Sequence, residues 1–210
     1  MDESARTEAA TIESVAVGDW LERLAGASGV PGGGAACALM AATAASLVGM
    51  VAGYVGDDEG ERIVARAERG RLTALAEIER DARQSGRLGD ALRENRDDSA
   101  DAQPTVRAAA VASAGSAIGL GEVTASLLPD LEGLLDLVER YLVPDIVVAA
   151  EALTAGLSGA AAIARADLRL AASHGGAEGD DIGAVRSRLD ALGDARTRAD
   201  ELRRTAAARV

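Results

Sequence analysis

Four places in the sequence combine residue types and spacings that could do chemistry. Pro31-Gly32-Gly33-Gly34 precedes an alanine-rich run. Three glycines permit a tight turn and leave amide N–H groups uncovered. A helix starting there adds unsatisfied donors and the positive end of its dipole. Such a turn can hold a carboxylate or polarise a carbonyl; the plain alternative is a flexible turn. Glu77 and Asp81 are four residues apart, on one helical face, with Arg80 and Arg83 beside them. A carboxylate in an apolar cleft can shuttle protons near neutral pH, because burial raises its pKa. The same spacing also describes an ordinary solvated helix face. Glu122 is the only charge between Arg107 and Asp130. A lone acid in an apolar helix is either a partner for an arginine or a site residue. Asp145 follows Pro144, where a first-turn acid stabilises a helix through its dipole. His174, in a glycine-rich loop, reads as an exposed polar residue, and Cys37, among alanines, as a small core filler.

Composition removes many chemistries. All 22 basic residues are arginine, which excludes a Schiff-base or phosphate-loop lysine. One cysteine excludes an internal disulfide and a multi-cysteine zinc site. One histidine excludes a two-histidine metal motif. A net charge of −12 argues against a nucleic-acid partner. The acidic start, with Asp2, Glu3 and Glu8, is unlike a secretory leader, so a cytoplasmic location is expected. The uncharged run from Leu24 to Gly56 is long enough to span a bilayer. Its Pro31 and glycines, its alanine content and the acidic Asp57-Asp58-Glu59 that follows favour a buried helix instead, with no membrane partner.

The elements that position these residues all read as helix. Asp19 has capping-box spacing to Glu22, predicting a short helix over 20–25. Helices follow over about 35–55 and 60–83. The polar stretch 85–104 carries one weak helical turn at Leu88, Ala91 and Leu92 and reads as mobile. Further helices are predicted over 105–128, from Pro129 through Leu142, and from Pro144 to about Ala172. Asp181 can cap a last one. With no strand signal, repeat or linker, residues 1–210 read as one domain, an all-α, up-and-down antiparallel bundle. Helices apolar nearly all round predict a homodimer through Ala/Gly-rich helices, with Gly115 and Gly119 marking a face open to close approach.

Taken together, Trp20-Leu21-Glu22-Arg23-Leu24-Ala25, Val30-Pro31-Gly32-Gly33-Gly34-Ala35-Ala36, Asp81-Ala82-Arg83, Glu122-Val123-Thr124 and Pro144-Asp145-Ile146-Val147-Val148-Ala149-Ala150 resemble, in that order, the cyclodeaminase/cyclohydrolase family of folate enzymes. The resemblance runs over roughly residues 19–172. It implies an all-helical homodimer that takes a tetrahydrofolate derivative as substrate and needs no metal or further cofactor. The implied reaction is hydrolysis of 5,10-methenyltetrahydrofolate to 10-formyltetrahydrofolate, or cyclisation of 5-formiminotetrahydrofolate with loss of ammonia. Asp81 would be the catalytic acid–base group. Pro31, Gly32, Gly33, Gly34, Glu122 and Asp145 would bind or orient the substrate. The chain departs from the family pattern at Ser85, where an aromatic residue is usual, and at Arg93-Glu94-Asn95-Arg96, where Lys-Leu-Pro-Lys is usual. Ile163 and Asp167 stand where asparagines are usual. These departures leave a competing expectation: a non-catalytic scaffold or ligand-binding homologue.

Overall fold

The computed structural model describes residues 15–27, 31–95, 103–175 and 180–210. Val30 and Arg96, two positions in the motifs above, lie outside them. Among the described residues there are seven α-helices: α1 (Val17–Ala25), α2 (Gly33–Gly53), α3 (Asp58–Glu94), α4 (Gln103–Ala125), α5 (Leu128–Leu137), α6 (Val143–Ser173) and α7 (Asp180–Ala207). A 3-10 turn, Arg140–Leu142, joins α5 to α6. The described residues contain no strand, and the all-α bundle expected from the sequence is the fold observed.

Close neighbours give the directions. Gly34 of α2 faces Asp81 of α3, and Gly49 faces Ala67, so these two helices run antiparallel. Gly33 meets Ile163 and Gly159 meets Cys37, so α2 and α6 are antiparallel as well. Helix α6 is the centre, packed against α2, α4 and α7. Its inner residues, from Ile146 through Leu153 and Leu157 to Leu168, are aliphatic and buried. Much of the remaining core is alanine, which lets backbones approach closely without interlocking large side chains. Helix α7 lies against α6 and α4. Paired arginine–carboxylate contacts fasten it to the α4–α5 segment: Arg188 to Glu122 and Arg198 to Glu132. Trp20 is buried with Ala35, Cys37, Ala38 and Ile78, which holds α1 against the start of α2.

Two expectations are corrected. The stretch from residue 85 is not loose: α3 continues unbroken to Glu94, while 96–102 lie outside the described residues. Leu88 and Ala91 are buried and continue the inner stripe begun at Ala74, Ile78 and Asp81. Tertiary packing therefore outweighs the helix-propensity cost of Gly86 and Gly89. Asp19 does not cap α1: the cap position is Ala16, without a side-chain bond, and Asp19 sits in the first turn. The cap expected at Asp181 lies outside the described side chains, although α7 does begin at Asp180. The extension of α3 is testable. Leu88→Ala is expected to cost about 2–3 kcal/mol, read as a fall in Tm. Leu92→Ala, on the exposed side of the same turn, is expected to leave Tm nearly unchanged.

By length and composition, α2, residues 103–137 and residues 140–173 could each cross a membrane; in the bundle, roughly half of each most apolar window is buried against other helices.

Candidate active site

The glycine turn and the carboxylate pair, read separately in the sequence, converge in the structure. Gly32 is extended and ends the turn; no side chain of its own segment caps α2. The cap comes from the neighbouring helix instead. Asp81 of α3 accepts a hydrogen bond from the Ala35 amide. Its carboxylate also lies so close to Gly34 that any Cβ there would overlap it. The missing side chain at Gly34 is thus what admits the acid to the helix start, where free amides and the dipole favour negative charge. Asp81 is 8% exposed. Burial pushes its carboxyl above the ordinary value, the Ala35 amide opposes that, and the charges of Asp167 and Glu77 push it further up.

Two more acids surround it. Glu77, one turn earlier on α3, is also 8% exposed. Its Oε1 accepts from Arg80 Nη1 at 3.3 Å, whereas Oε2 is buried without a partner. Asp167 of α6 is half-buried. Burial raises its carboxyl, and the Ser113 hydroxyl of α4 donates a bond that lowers it. Its Oδ2 is buried and unpartnered. Three carboxylates from two helices, with only one arginine contact among those described, form a group able to hold and exchange a proton in an apolar setting. Cys37 lies nearby; burial and the charge of Asp81 raise its thiol, and its Sγ fills the notch left by Gly159. That placement matches the core-filler reading. Among the described residues, no group of three histidine, cysteine or acidic side chains is arranged to hold a metal.

An open groove of about 660 Å³ adjoins this cluster. Glu77, Arg80 and Gln84 of α3 form one wall, Gly115, Ser116 and Gly119 of α4 the floor, and Arg188 of α7 reaches in from the other side. The two glycines face no second backbone within the chain: a Cβ at either would meet nothing within 4 Å.

The other sequence-nominated residues are distributed less evenly. Pro31 and Gly32 are half-buried at the turn, and Gly33 is exposed, its nearest neighbour being Ile163. Glu122 lines the groove but is exposed and already paired. Arg188 Nε and Nη2 donate to its two oxygens at 2.7 Å each, which lowers its carboxyl below the ordinary range. Its isolation in the sequence is explained by that long-range partner. Asp145 is not brought to the cluster within this chain. It occupies the first turn of α6, about 33 Å along the helix axis from Asp167 at 1.5 Å per residue, and serves the dipole there. His174 ends α6, its Nδ1 within 3.0 Å of the Leu170 carbonyl.

Asp167, Ser113 and Ser116 were not nominated as site residues. Asp167 is flanked by Arg165 and Arg169, which disguise it as part of a solvated charge pattern. The available signal was spacing: Gly156, Ala160 and Ala164, at three- and four-residue steps before it, mark the inner face of α6.

Residues 16–171 match a family model described as formiminotransferase-cyclodeaminase. The fold is similar to that of the formiminotetrahydrofolate cyclodeaminase of Thermotoga maritima, with a TM-score of 0.77 and 18% sequence identity, over 92% of this chain and 98% of that one. Among curated proteins, none matches the sequence.

Proposed function

Because the chain belongs to the formiminotransferase-cyclodeaminase family, we propose that it acts on a folate-bound one-carbon unit with Asp81 as its acid–base group. The observation that carries this reading is the Asp81 carboxylate, buried at the start of α2 with its carboxyl pushed upward. A carboxyl in that condition can exchange protons closer to neutral pH than a solvated one.

Two reactions use that capacity. In the hydrolytic one, water adds to the bridging carbon of the 5,10-methenyl cation and gives up a proton to Asp81. The carbon–N5 bond then breaks, N5 takes a proton, and the products are 10-formyltetrahydrofolate and one released proton. In the cyclising one, N10 attacks the formimino carbon, its proton passes to Asp81, and the amino group leaves as ammonia once protonated. In both, the free amides at the start of α2 can stabilise negative charge developing near Asp81. Asp167 and Glu77 keep the Asp81 proton affinity high by their charge.

The wild-type protein supplied with each substrate separately tests the reading: methenyl absorbance decay for the first, ammonia release for the second. Acceleration of either over buffer supports it. Absence of both, in folded protein, favours the non-catalytic homologue. Ile163 gives that reading a foothold, since its methyl lies 3.7 Å from where a Gly33 Cβ would sit and makes the turn's surroundings apolar.

We also propose that the protein is a homodimer joined along α2. The outward face of that helix carries Ala36, Met40, Thr43, Leu47, Met50 and Tyr54 at alternating four- and three-residue steps, and α2 has no charged residue. Thr43 and Met50 are exposed, and Tyr54 stacks edge-on against Tyr141, which is also exposed. An uncharged stripe with heptad spacing is the pattern of a helix–helix seam. Met50→Glu is expected to convert a dimer to a monomer in sedimentation analysis, with helicity unchanged. A wild type that sediments as a monomer would remove the proposal.

A further inference from the structure

We propose that the groove over α4 seats the pterin end of the substrate, with Glu77 as the residue that recognises its amino-pyrimidine edge. This rests on the folate reading above and adds to it a position and a recognition contact.

Three observations carry it. First, the floor is bare. Gly115 and Gly119 leave backbone uncovered, and a Cβ at either would enter open space. A flat heterocycle can lie directly on such a surface, where a side chain would hold it off. The groove volume of about 660 Å³ falls in the range of small-molecule sites.

Second, two groups at the groove lack partners. Ser116 is 4% exposed and its Oγ has no hydrogen bond. Glu77 Oε2 is likewise buried and unpaired, while its Oε1 already has Arg80. A buried carboxylate oxygen left unpaired costs free energy until a donor arrives. The 2-amino-4-oxo-pyrimidine ring of a folate offers two parallel N–H donors on one edge. They match the two oxygens of one carboxylate, and a hydroxyl beside it can accept or donate at the ring's other polar atoms.

Third, the charges balance. Glu77 pairs with Arg80 and Glu122 with Arg188. The groove therefore presents no net field for a polyanion and selects by hydrogen-bond pattern, as a neutral ring requires. Its position also suits the chemistry. Glu77 and Asp81 are one turn apart on α3, about 6 Å along the axis. Asp81 is turned from the groove face toward α2. A bicyclic ring anchored at Glu77 would therefore lie within one helical turn of that neighbouring acid.

The test measures binding of 5-formyltetrahydrofolate, a stable folate, and of an analogue whose 2-amino group is replaced by methyl. It uses wild type, Gly119→Leu and Glu77→Gln, with methenyl turnover and oligomeric state followed in parallel. Gly119→Leu gains helix propensity and meets no atom at its Cβ, so its fold is expected intact. It is expected to bind folate at least about 10-fold more weakly. Wild type is expected to discriminate against the methyl analogue at least about 10-fold, and Glu77→Gln to lose most of that preference. If wild type turns over or binds folate and Gly119→Leu does so equally well, the groove is not the pterin site while the folate reading stands. The same holds if Gly119→Leu loses only its oligomeric state, which would make the groove a seam between chains. If wild type neither binds nor turns over any folate, the folate reading falls and this proposal with it.

Discussion

Asp81→Asn is expected to lower kcat by about 10²–10⁴-fold, the usual contribution of a positioned acid–base group, while making the protein more stable at neutral pH. The two effects have one cause. Asp81 is buried, desolvation is the largest influence on its carboxyl, and the Glu77 and Asp167 charges add to it. Folding therefore favours the protonated acid, and ionising it in place costs free energy. Asparagine keeps the shape and can still accept from the Ala35 amide, but carries no charge. A gain of about 1 kcal/mol would raise Tm by about 2–4 °C at this chain length. The pH dependence has a definite sign. Below the ordinary carboxyl value of 3.8, both proteins are neutral at this position and their Tm values should agree. As pH rises through the elevated pKa of Asp81, the wild type should fall progressively behind. Asp167, raised by the same burial, should add a parallel slope in both proteins. Parallel Tm curves at all pH values would contradict the assignment of desolvation as the dominant influence. A gain in stability with loss of turnover is the signature of a group held under strain for function.

Gly34→Ala is expected to abolish at least about 99% of turnover without replacing any ionisable group. The new Cβ would occupy the space of the Asp81 carboxylate, nearer than atoms can approach. Asp81 must then rotate away. It loses the Ala35 amide and leaves the helix start uncapped, while the carboxylate moves into apolar surroundings that do not solvate it. The cost to stability is expected at about 1–3 kcal/mol, reduced somewhat by the better helix propensity of alanine. Gly33→Ala is the control for stability. Its Cβ would meet only Ile163 at ordinary contact distance, so Tm should hold or rise slightly. Equal losses of Tm in the two variants would mean that the turn needs glycine for its backbone and not for the approach of Asp81.

The contrast between these adjacent glycines shows what the sequence could and could not convey. That the turn could receive a carboxylate, and that Asp81 was a candidate carboxylate, were both readable from local residue types. That one fills the other was not, because their contact joins positions 34 and 81 across an antiparallel helix pair. The same limit explains Glu122, whose partner Arg188 lies 66 residues further on, on α7. Helix existence was legible wherever prolines opened elements: Pro129 stands in the first turn of α5 and Pro144 in that of α6. It failed along 85–94, where Leu88 and Ala91 are the only buried residues in a charged segment with two glycines. Their burial depends on packing that local periodicity does not announce. Asp145 is the reverse case: a motif match drew it toward the site, while helical rise separates it from Asp167 by most of the length of α6 within one chain.

The most direct measurement follows the absorbance of 5,10-methenyltetrahydrofolate in buffer, with wild-type protein and with Asp81→Asn, at one pH and equal protein concentration. If Asp81 moves the proton, decay is faster with wild type than in buffer, and Asp81→Asn returns it nearly to the buffer rate while remaining folded by circular dichroism. Decay at the wild-type rate in folded Asp81→Asn would contradict that role and direct attention to Asp167 and Glu77 instead.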